Sequence, residues 1–429
     1  MRQQPLAGPL DGIRVIDLTA VVLGPLATQV LADFGADVIK IEPPEGDLMR
    51  ANGVSLHPGM SSIYLALNRN KRSVVLDLKR EDDADALRAL IAGADVVVHN
   101  MRVAAIERLG FGYEAVAALN PKIVYCVATG FGQDGPWRDR PAFDDIIQAS
   151  CGLVGLGAVD GETPSYVPSL IADKVCGLAL ANAVMAALVH RERCDEGQCV
   201  ELPMLETMAS FVLAEHMGGL AFIGSPAPAG YARLLHGGRQ PVPTADGWIS
   251  LLPYTGRHWT AFFDAVDRGD VSRRYDLSSR QQLNKNIRDL YACLAEITPS
   301  RTSAYWVALC ERLDIPATEI FRLDALARHP HLEAVGLFQS SQHPTEGAIR
   351  ELRPATLFHK TPALLRRHAP TLGEHTREVL GEAGIDVPPA AGRPPLPLLN
   401  TEEETPGISN SKKSIRCSRT SSRVSCATN

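Results

Sequence analysis

The sequence predicts an α/β chain: a Rossmann-like large domain with a smaller α+β domain. Three observations carry this. Apolar runs of strand length alternate with helical stretches as far as Thr129, the pattern of βαβ units with right-handed crossovers and a parallel sheet. A length of 429 residues exceeds what one hydrophobic core usually serves, so two domains are expected. The texture then changes after a Gly- and Pro-rich stretch ending at Gly247, past which aromatic residues recur at helical spacing.

Taken in order, GIRVIDLT (Gly12–Thr19) is a short apolar strand, Pro25–Phe34 a helix, and ADVIKIE, ending at Glu42, a second strand. SVVLDL (Ser73–Leu78), DVVVHN (Asp95–Asn100) and KIVYCVAT (Lys122–Thr129) read as further strands, with helices at Asp82–Ala92 and Ala104–Leu109. Ligands of such sheets sit beyond the carboxyl ends of the strands. That marks the loops after Thr19, Glu42, Leu78, Asn100 and Thr129.

The stretch IADKVCGLALANAVMAALVHRE (Ile171–Glu192) is rich in strong helix formers and lacks a polar stripe, so it reads as a helix buried all round. Its one acid near the start, Asp173, has two readings. It is an N-cap receiving the first free N–H groups, or a nucleophile or base held in a dry site. CVELPMLETMASFVLAEHM is a short strand-like piece and a second helix. Gly224–Gly247 reads as a linker or active-site loop. WISLLPY is a strand; Trp259, Phe262, Phe263 and Val266, then Trp306, Leu309, Cys310 and Leu313, mark core faces of helices. GAIRELRPATLF resembles a strand pair and LGEHTREVLGEAG a final amphipathic helix. The expected organisation is a large domain over 1–222, completed by about 343–386, a linker plus small domain over 223–342, and a disordered tail over 387–429, whose Pro-, Ser- and Lys-rich composition buries too little apolar surface to order itself.

Hydrophobic residues make up 45% and charged residues 21%, the balance of a globular protein. A net charge of -6 argues against a nucleic-acid binder. No apolar run reaches membrane-spanning length without a nearby charge, and the opening MRQQPLAGPLDG lacks an apolar signal region, so a cytoplasmic protein with no membrane partner is expected. The nine cysteines are odd in number and scattered, without C-x-x-C or zinc spacing; small buried residues are expected rather than disulfides or metal ligands.

GFGQDG (Gly130–Gly135) fits G-x-G-x-x-G, but Pro136, Trp137 and RDRPAFDD follow where a helix would have to open, so a dinucleotide site is rejected. No G-x-S-x-G elbow, P-loop or H-E-x-x-H is present. Lys71, Arg72, Lys79, Arg80, Arg102 and Arg108 fall near one sheet edge, a set suited to an anionic, phosphate-bearing ligand.

With those residues in view, the chain resembles the family III CoA-transferases, which include formyl-CoA transferase, carnitine CoA-transferase and α-methylacyl-CoA racemase. The resemblance runs from about Pro9 to Gly384. It rests on PLDGIRVIDLT, LADFGADVIKIEPPEGD, LNRNKRSVVLDLK, GFGQDGPW with PAFDDIIQASCGL, and the long helix followed by EGQCVEL. It implies that Asp173 is the catalytic aspartate, attacking an acyl-CoA thioester to form an acyl-aspartyl anhydride, then an aspartyl-CoA thioester that the acceptor acid attacks. Glycine-flanked backbone N–H groups would stabilise the oxyanion.

The same resemblance places coenzyme A, as substrate and not as a resident cofactor, against Val22 and Leu23, Leu76, Asp77 and Lys79, Asn100, Met101 and Arg102, and Arg108, with Phe143 at the thiol end. It also implies an interlocked homodimer. Two departures narrow the reaction. Racemases of the family carry a histidine where this chain has Phe143, which favours transfer over racemisation; His99 or Asp145 would otherwise have to supply the second base. Related transferases carry Arg where this chain has Pro43, so one phosphate or adenine contact of CoA is expected to be missing, with Arg102 as its partial replacement. Formyl-CoA transferases carry a Gln at the position of Val22 and a glycine run where this chain has the modest His236–Gly238. A larger or more apolar acid than oxalate or formate is therefore expected. The remaining alternatives are a 2-methylacyl-CoA racemase and a CoA-binding protein without turnover.

Overall fold

The computed structural model describes residues 8–158, 163–235 and 238–386, all within the unit Met1–Arg393. The tail over 387–429, and His236 and Gly237 of the HGG stretch, lie outside the described residues. Six strands, β1 (Arg14–Leu18), β2 (Asp37–Glu42), β3 (Lys71–Val75), β4 (Val96–His99), β5 (Val124–Thr129) and β6 (Gln198–Pro203), form one sheet in the order β3-β2-β1-β4-β5-β6. Every pairing in it is parallel. The chain therefore starts in the middle and reverses direction between β1 and β4, which opens a crevice at their carboxyl ends.

The helices that bear on the site are α1 (Leu23–Asp33), α2 (Glu81–Ala92), α3 (Val103–Arg108), α4 (Asp144–Ser150), α5 (Ile171–Cys194), α6 (Met204–His216), α7 (Gly256–Ala265) and α8 (Thr376–Glu382). Side chains alternate across the strands, so both sheet faces are apolar. Val15, Val96, Val98, Val124 and Cys126 pack with Ala27 and Leu31 of α1 and Ala172, Cys176, Leu180 and Val184 of α5. Ile16, Val97, Tyr125 and Val127 pack with Leu87, Leu90 and Ile91 of α2, Ile106 of α3 and Val379 and Leu380 of α8. The last helix thus closes the same core that the first strand opens.

A separate cluster gathers Val242, Ile249, Leu251, Trp259, Phe262, Phe263, Leu294 and Trp306 around a three-stranded antiparallel sheet of β7 (Val242–Pro243), β8 (Trp248–Leu251) and β9 (Ala317–Glu319). The aromatic residues picked out by helical spacing are its centre. The strand pair differs from the expectation: β10 (Phe338–His343) and β11 (Gly347–Leu352) form an antiparallel hairpin, so GAIRELRPATLF supplies only its second strand.

The long helix also departs from the expectation. It runs from Ile171 to Cys194 and buries one stripe, Asp173, Cys176, Gly177, Leu180, Ala181, Val184 and Leu188, while Leu178 is 51% and Val189 50% exposed. Helical periodicity cannot distinguish an apolar face that meets the core from one that faces outward. It is the one described helix long and apolar enough to cross a membrane, and it packs here on α1 and the sheet. The α1–α5 contact is close because Gly177 sits against the Leu23 carbonyl; an added Cβ would lie 2.6 Å from that oxygen.

Candidate active site

The loop after β1 is held from two sides. Asn100, just past β4, accepts the Ala20 N–H (3.0 Å) and donates to the Ala20 carbonyl (2.8 Å), tying the two strand ends together at the reversal point. Asp47 accepts the Val21 N–H (3.1 Å) and, with its other oxygen, an ion pair from Lys40 (2.9 Å), whose ammonium also donates to the Thr19 carbonyl (2.8 Å). Val21 has φ of 72°, a conformation that a β-branched residue enters only when its surroundings force it.

Below this loop lies a dry layer of charge. Lys71 and Asp17 pair at 3.1 Å with neither side chain exposed, and Glu42 holds Arg50 in a two-pronged contact of 2.7 Å on each side. Burial pushes the Lys71 ammonium down to about 8, against the opposing pull of Asp17. Burial also opposes the charge of Asp17, but Lys71 and Lys40 together hold its carboxyl below the ordinary range. These pairs correct one expectation. Lys71 and Arg72 sit at the start of β3, and Arg72 is bound to Asp37, Glu378 and Glu382, so neither faces a ligand. A basic residue beside a strand was visible in the sequence; which end of the strand, and which carboxylate it meets, was not.

Two clefts meet at Met101. The first, about 430 Å³, includes Val21, Leu23, Asn100, Met101, Arg102, Arg108, Gly130, Arg138, Arg140, Phe143 and Asp173 in its lining. The second, about 400 Å³, includes Thr19, Pro43, Asp47, Leu76, Asp77, Lys79 and Met101. The structure thus brings nearly all the sequence-derived site residues to one edge. Val22 differs: it is 3% exposed at the N-cap of α1, and its neighbour Val21 faces the cleft instead. Asp77 caps its own turn, accepting the Lys79 N–H at 3.1 Å. Arg102 and Arg108 are exposed and enter no ion pair among the described residues. Arg138 and Arg140 lie in a loop without periodicity, so no sequence pattern marks them; Arg138 contacts Asp139, also in the cleft lining, at 3.4 Å, and Arg140 stacks on Trp137, 4.3 Å from the ring centre.

Asp173 stands in the first turn of α5, 8% exposed, and its side chain caps nothing. The cap comes from another helix: Asp144, at the start of α4, accepts the Asp173 N–H at 2.9 Å and the Gln148 amide at 2.6 Å. Gln148 in turn accepts the Val167 N–H (3.0 Å), fixing the segment that leads into α5. Burial first, and the Asp144 charge second, push the Asp173 carboxyl up to about 7. Such a group is dry, and no cation among the described residues offsets its charge.

The loop from Gly130 continues in turns, and the next helix begins only at Asp144. Its Gly132 and Gln133 N–H groups are taken by Glu206 (2.9 Å) and Glu201 (2.8 Å), so these two donors are not free to receive an oxyanion. His99 lies on the sheet face opposite α5: its Nε2 meets the Tyr125 hydroxyl at 2.8 Å, that hydroxyl donates to the Phe111 carbonyl, and burial drops the imidazole to about 4. Asp145 is exposed and outside the cleft. Among the described residues no group of three or more His, Cys, Asp or Glu side chains is placed to hold a metal ion.

A Rossmann-ordered sheet whose switch-point crevice is rimmed by arginines and reaches a buried carboxyl is an α/β scaffold with a cleft suited to an anionic ligand. Comparison with known proteins gives the particular family: the model of CoA-transferase family III matches residues 10–376, and the chain belongs to that family. The chain is 33% identical over 385 residues to a succinate–glutarate CoA-transferase of Agrobacterium fabrum, covering 87% of this chain and 95% of that one. It is 32% identical to a succinyl-CoA:mesaconate CoA-transferase of Haloarcula marismortui, covering 88% and 97%. The crystal structure of a CAIB/BAIF family protein from Brucella suis superimposes with a TM-score of 0.76 at 28% identity, covering 88% of this chain and all of that one. The enzyme is a CoA-transferase, with acyl-CoA and a carboxylic acid as its classes of substrate.

Proposed function

We propose that CoA transfer proceeds through Asp173 as a covalent relay. One Asp173 oxygen attacks the thioester carbonyl and the C–S bond breaks, leaving an acyl-aspartyl anhydride and CoA thiolate. The thiolate attacks the aspartyl carbonyl, releasing the donor acid as its carboxylate and leaving an aspartyl-CoA thioester. An acceptor carboxylate attacks that thioester and frees the thiolate. The thiolate then takes the acceptor's acyl group, and Asp173 leaves as a carboxylate. No proton is gained or lost over the cycle. The observation that carries this reading is the Asp173 carboxyl itself: buried, beside a like charge, without a cation partner among the described residues, and at the floor of a cleft large enough for a thioester. Desolvation strengthens a carboxylate nucleophile that water would quench.

In this reading the nucleotide of CoA lies in the cleft of Pro43, Leu76, Asp77 and Lys79, passes Met101, and presents its thiol end to Phe143 and Asp173, with Leu23, Arg102 and Arg108 along the way. The names of the similar enzymes suggest four- and five-carbon dicarboxylic acids, and Arg140 in the same cleft, beside an Arg138 that already contacts Asp139 at 3.4 Å, suits a second carboxylate. The exposed Leu178, Val189, Phe211 and Phe222 support a second copy of the chain as partner. His99 and Asp145 lie outside the cleft, and the further carboxylate that lines it, Asp139, is exposed and paired with Arg138, which favours transfer over racemisation. The test is exchange of label between free succinate and succinyl-CoA, with glutarate and mesaconate as acceptors. Exchange that disappears in Asp173→Ala while CoA still binds supports the relay; exchange retained in that variant, or solvent deuterium entering the α-carbon without exchange, contradicts it.

A further inference from the structure

A third cavity, of about 170 Å³, is set apart from the Asp173 cleft and lined by Arg233, Tyr254, Gly256, Ser278 and Arg280 among others. Arg233, in the short helix Ala232–Leu235, is only 8% exposed. Its guanidinium lies over the Tyr254 ring, 4.7 Å from the centre, with the Tyr291 hydroxyl nearby, yet Nε, Nη2 and that hydroxyl are all without a well-formed hydrogen bond among the described residues. Ring stacking stabilises the charge but accepts neither N–H in its plane. Buried donors without acceptors are rare because their lost hydration is not returned.

The facing wall is the first turn of α7. Its cap, Thr255, accepts the His258 N–H at 3.2 Å, which leaves the first N–H groups of the helix without intrahelical partners. Gly256 stands so close to the Leu277 carbonyl that any side chain would collide with it, which fixes this wall. Arg280 is exposed on the rim and enters no ion pair among the described residues. The neighbouring carboxylate, Asp276, does not line the cavity, and its Oδ1 is occupied by the Ser278 N–H (3.2 Å) and hydroxyl (2.6 Å).

We propose that this cavity binds a small oxyanion, a phosphate or carboxylate group, held by Arg233 and Arg280 against the first turn of α7. Such a group supplies acceptors to a planar, fork-shaped donor and meets the positive end of a helix. A cation or an apolar ligand would leave Arg233 as it is.

The experiment uses the full chain saturated with CoA, so that the larger clefts are occupied. Thermal unfolding is followed against sodium phosphate and sodium acetate, with sodium chloride at matched ionic strength. A saturable rise in Tm is expected, about 3 °C at a hundredfold excess over Kd. Arg280→Gln, on the rim where folding is untouched, weakens the apparent Kd by about tenfold or more; Arg233→Met abolishes the response. A response to phosphate alone assigns a phosphate-bearing ligand and a response to acetate a carboxylate, and either supports the site. The same Tm in all three salts, or a response that survives in Arg280→Gln, overturns it. CoA exchange by Arg280→Gln reports separately on the transferase reading.

Discussion

Replacing Asp173 by Asn is predicted to stabilise the fold while abolishing transfer. Burial and the neighbouring Asp144 raise the carboxyl from the ordinary 3.8 to about 7. At 1.36 kcal/mol for each tenfold step in proton affinity, that displacement corresponds to about 4 kcal/mol of cost for the ionised form, an upper bound because the site relaxes around the charge. The sign follows from linkage. Between about pH 4 and pH 7 the folded chain holds a proton that the unfolded chain has lost, so this group's contribution is present at low pH and declines as pH rises through about 7. The amide has no such dependence. Urea unfolding of both proteins at pH 5 and pH 8 tests this: because part of the cost is already present at pH 5, the Asn variant gains on the wild type by about 1–3 kcal/mol more at pH 8. Parallel stabilities across the range would refute the claim that Asp173 carries an uncompensated buried charge.

The rate of transfer should rise with pH through about 7 as the nucleophile ionises, and Asp144→Asn should move that midpoint lower, because the like charge is one of its two causes; a pH–rate profile with an unmoved midpoint contradicts the pairing. Asp47→Asn keeps an acceptor for the Val21 N–H but turns an amide donor onto the buried Lys40 ammonium in place of its ion pair, so chemical denaturation should show a loss of about 3–5 kcal/mol, and the KM for acyl-CoA should rise as the loop that Asp47 and Lys40 hold shifts. Gly177→Ala drives a methyl against the Leu23 carbonyl; a loss of about 1–3 kcal/mol and a lower kcat are expected, since Leu23 lines the cleft and Asp173 rides on the same helix.

Much of the sheet was legible because its strands are short unbroken apolar runs such as Val96–Val98, which only a twice-covered parallel sheet requires. The ligand-facing loops followed from topology: once β1 and β4 are parallel neighbours running in sequence, Asn100 and Met101 must emerge at the carboxyl edge. What stayed hidden depends on distance in sequence. The role of Asp144 as the cap of α5 needs a contact 29 residues away, and no local pattern announces it. Lys71 looked like a ligand contact because its partner Asp17 lies 54 positions earlier. The strained Val21, which faces the cleft in place of Val22, is not marked in the sequence, since backbone strain leaves no trace in composition. The outward apolar face of α5 is written in the same letters as its core face.

The most direct measurement is mass spectrometry of the full chain mixed with succinyl-CoA, digested with and without hydroxylamine. A CoA or acyl adduct on the peptide containing Asp173, removed by hydroxylamine and absent in Asp173→Asn, is the predicted result. Turnover without any adduct there, or an adduct on another carboxylate that follows the turnover rate, would contradict the account.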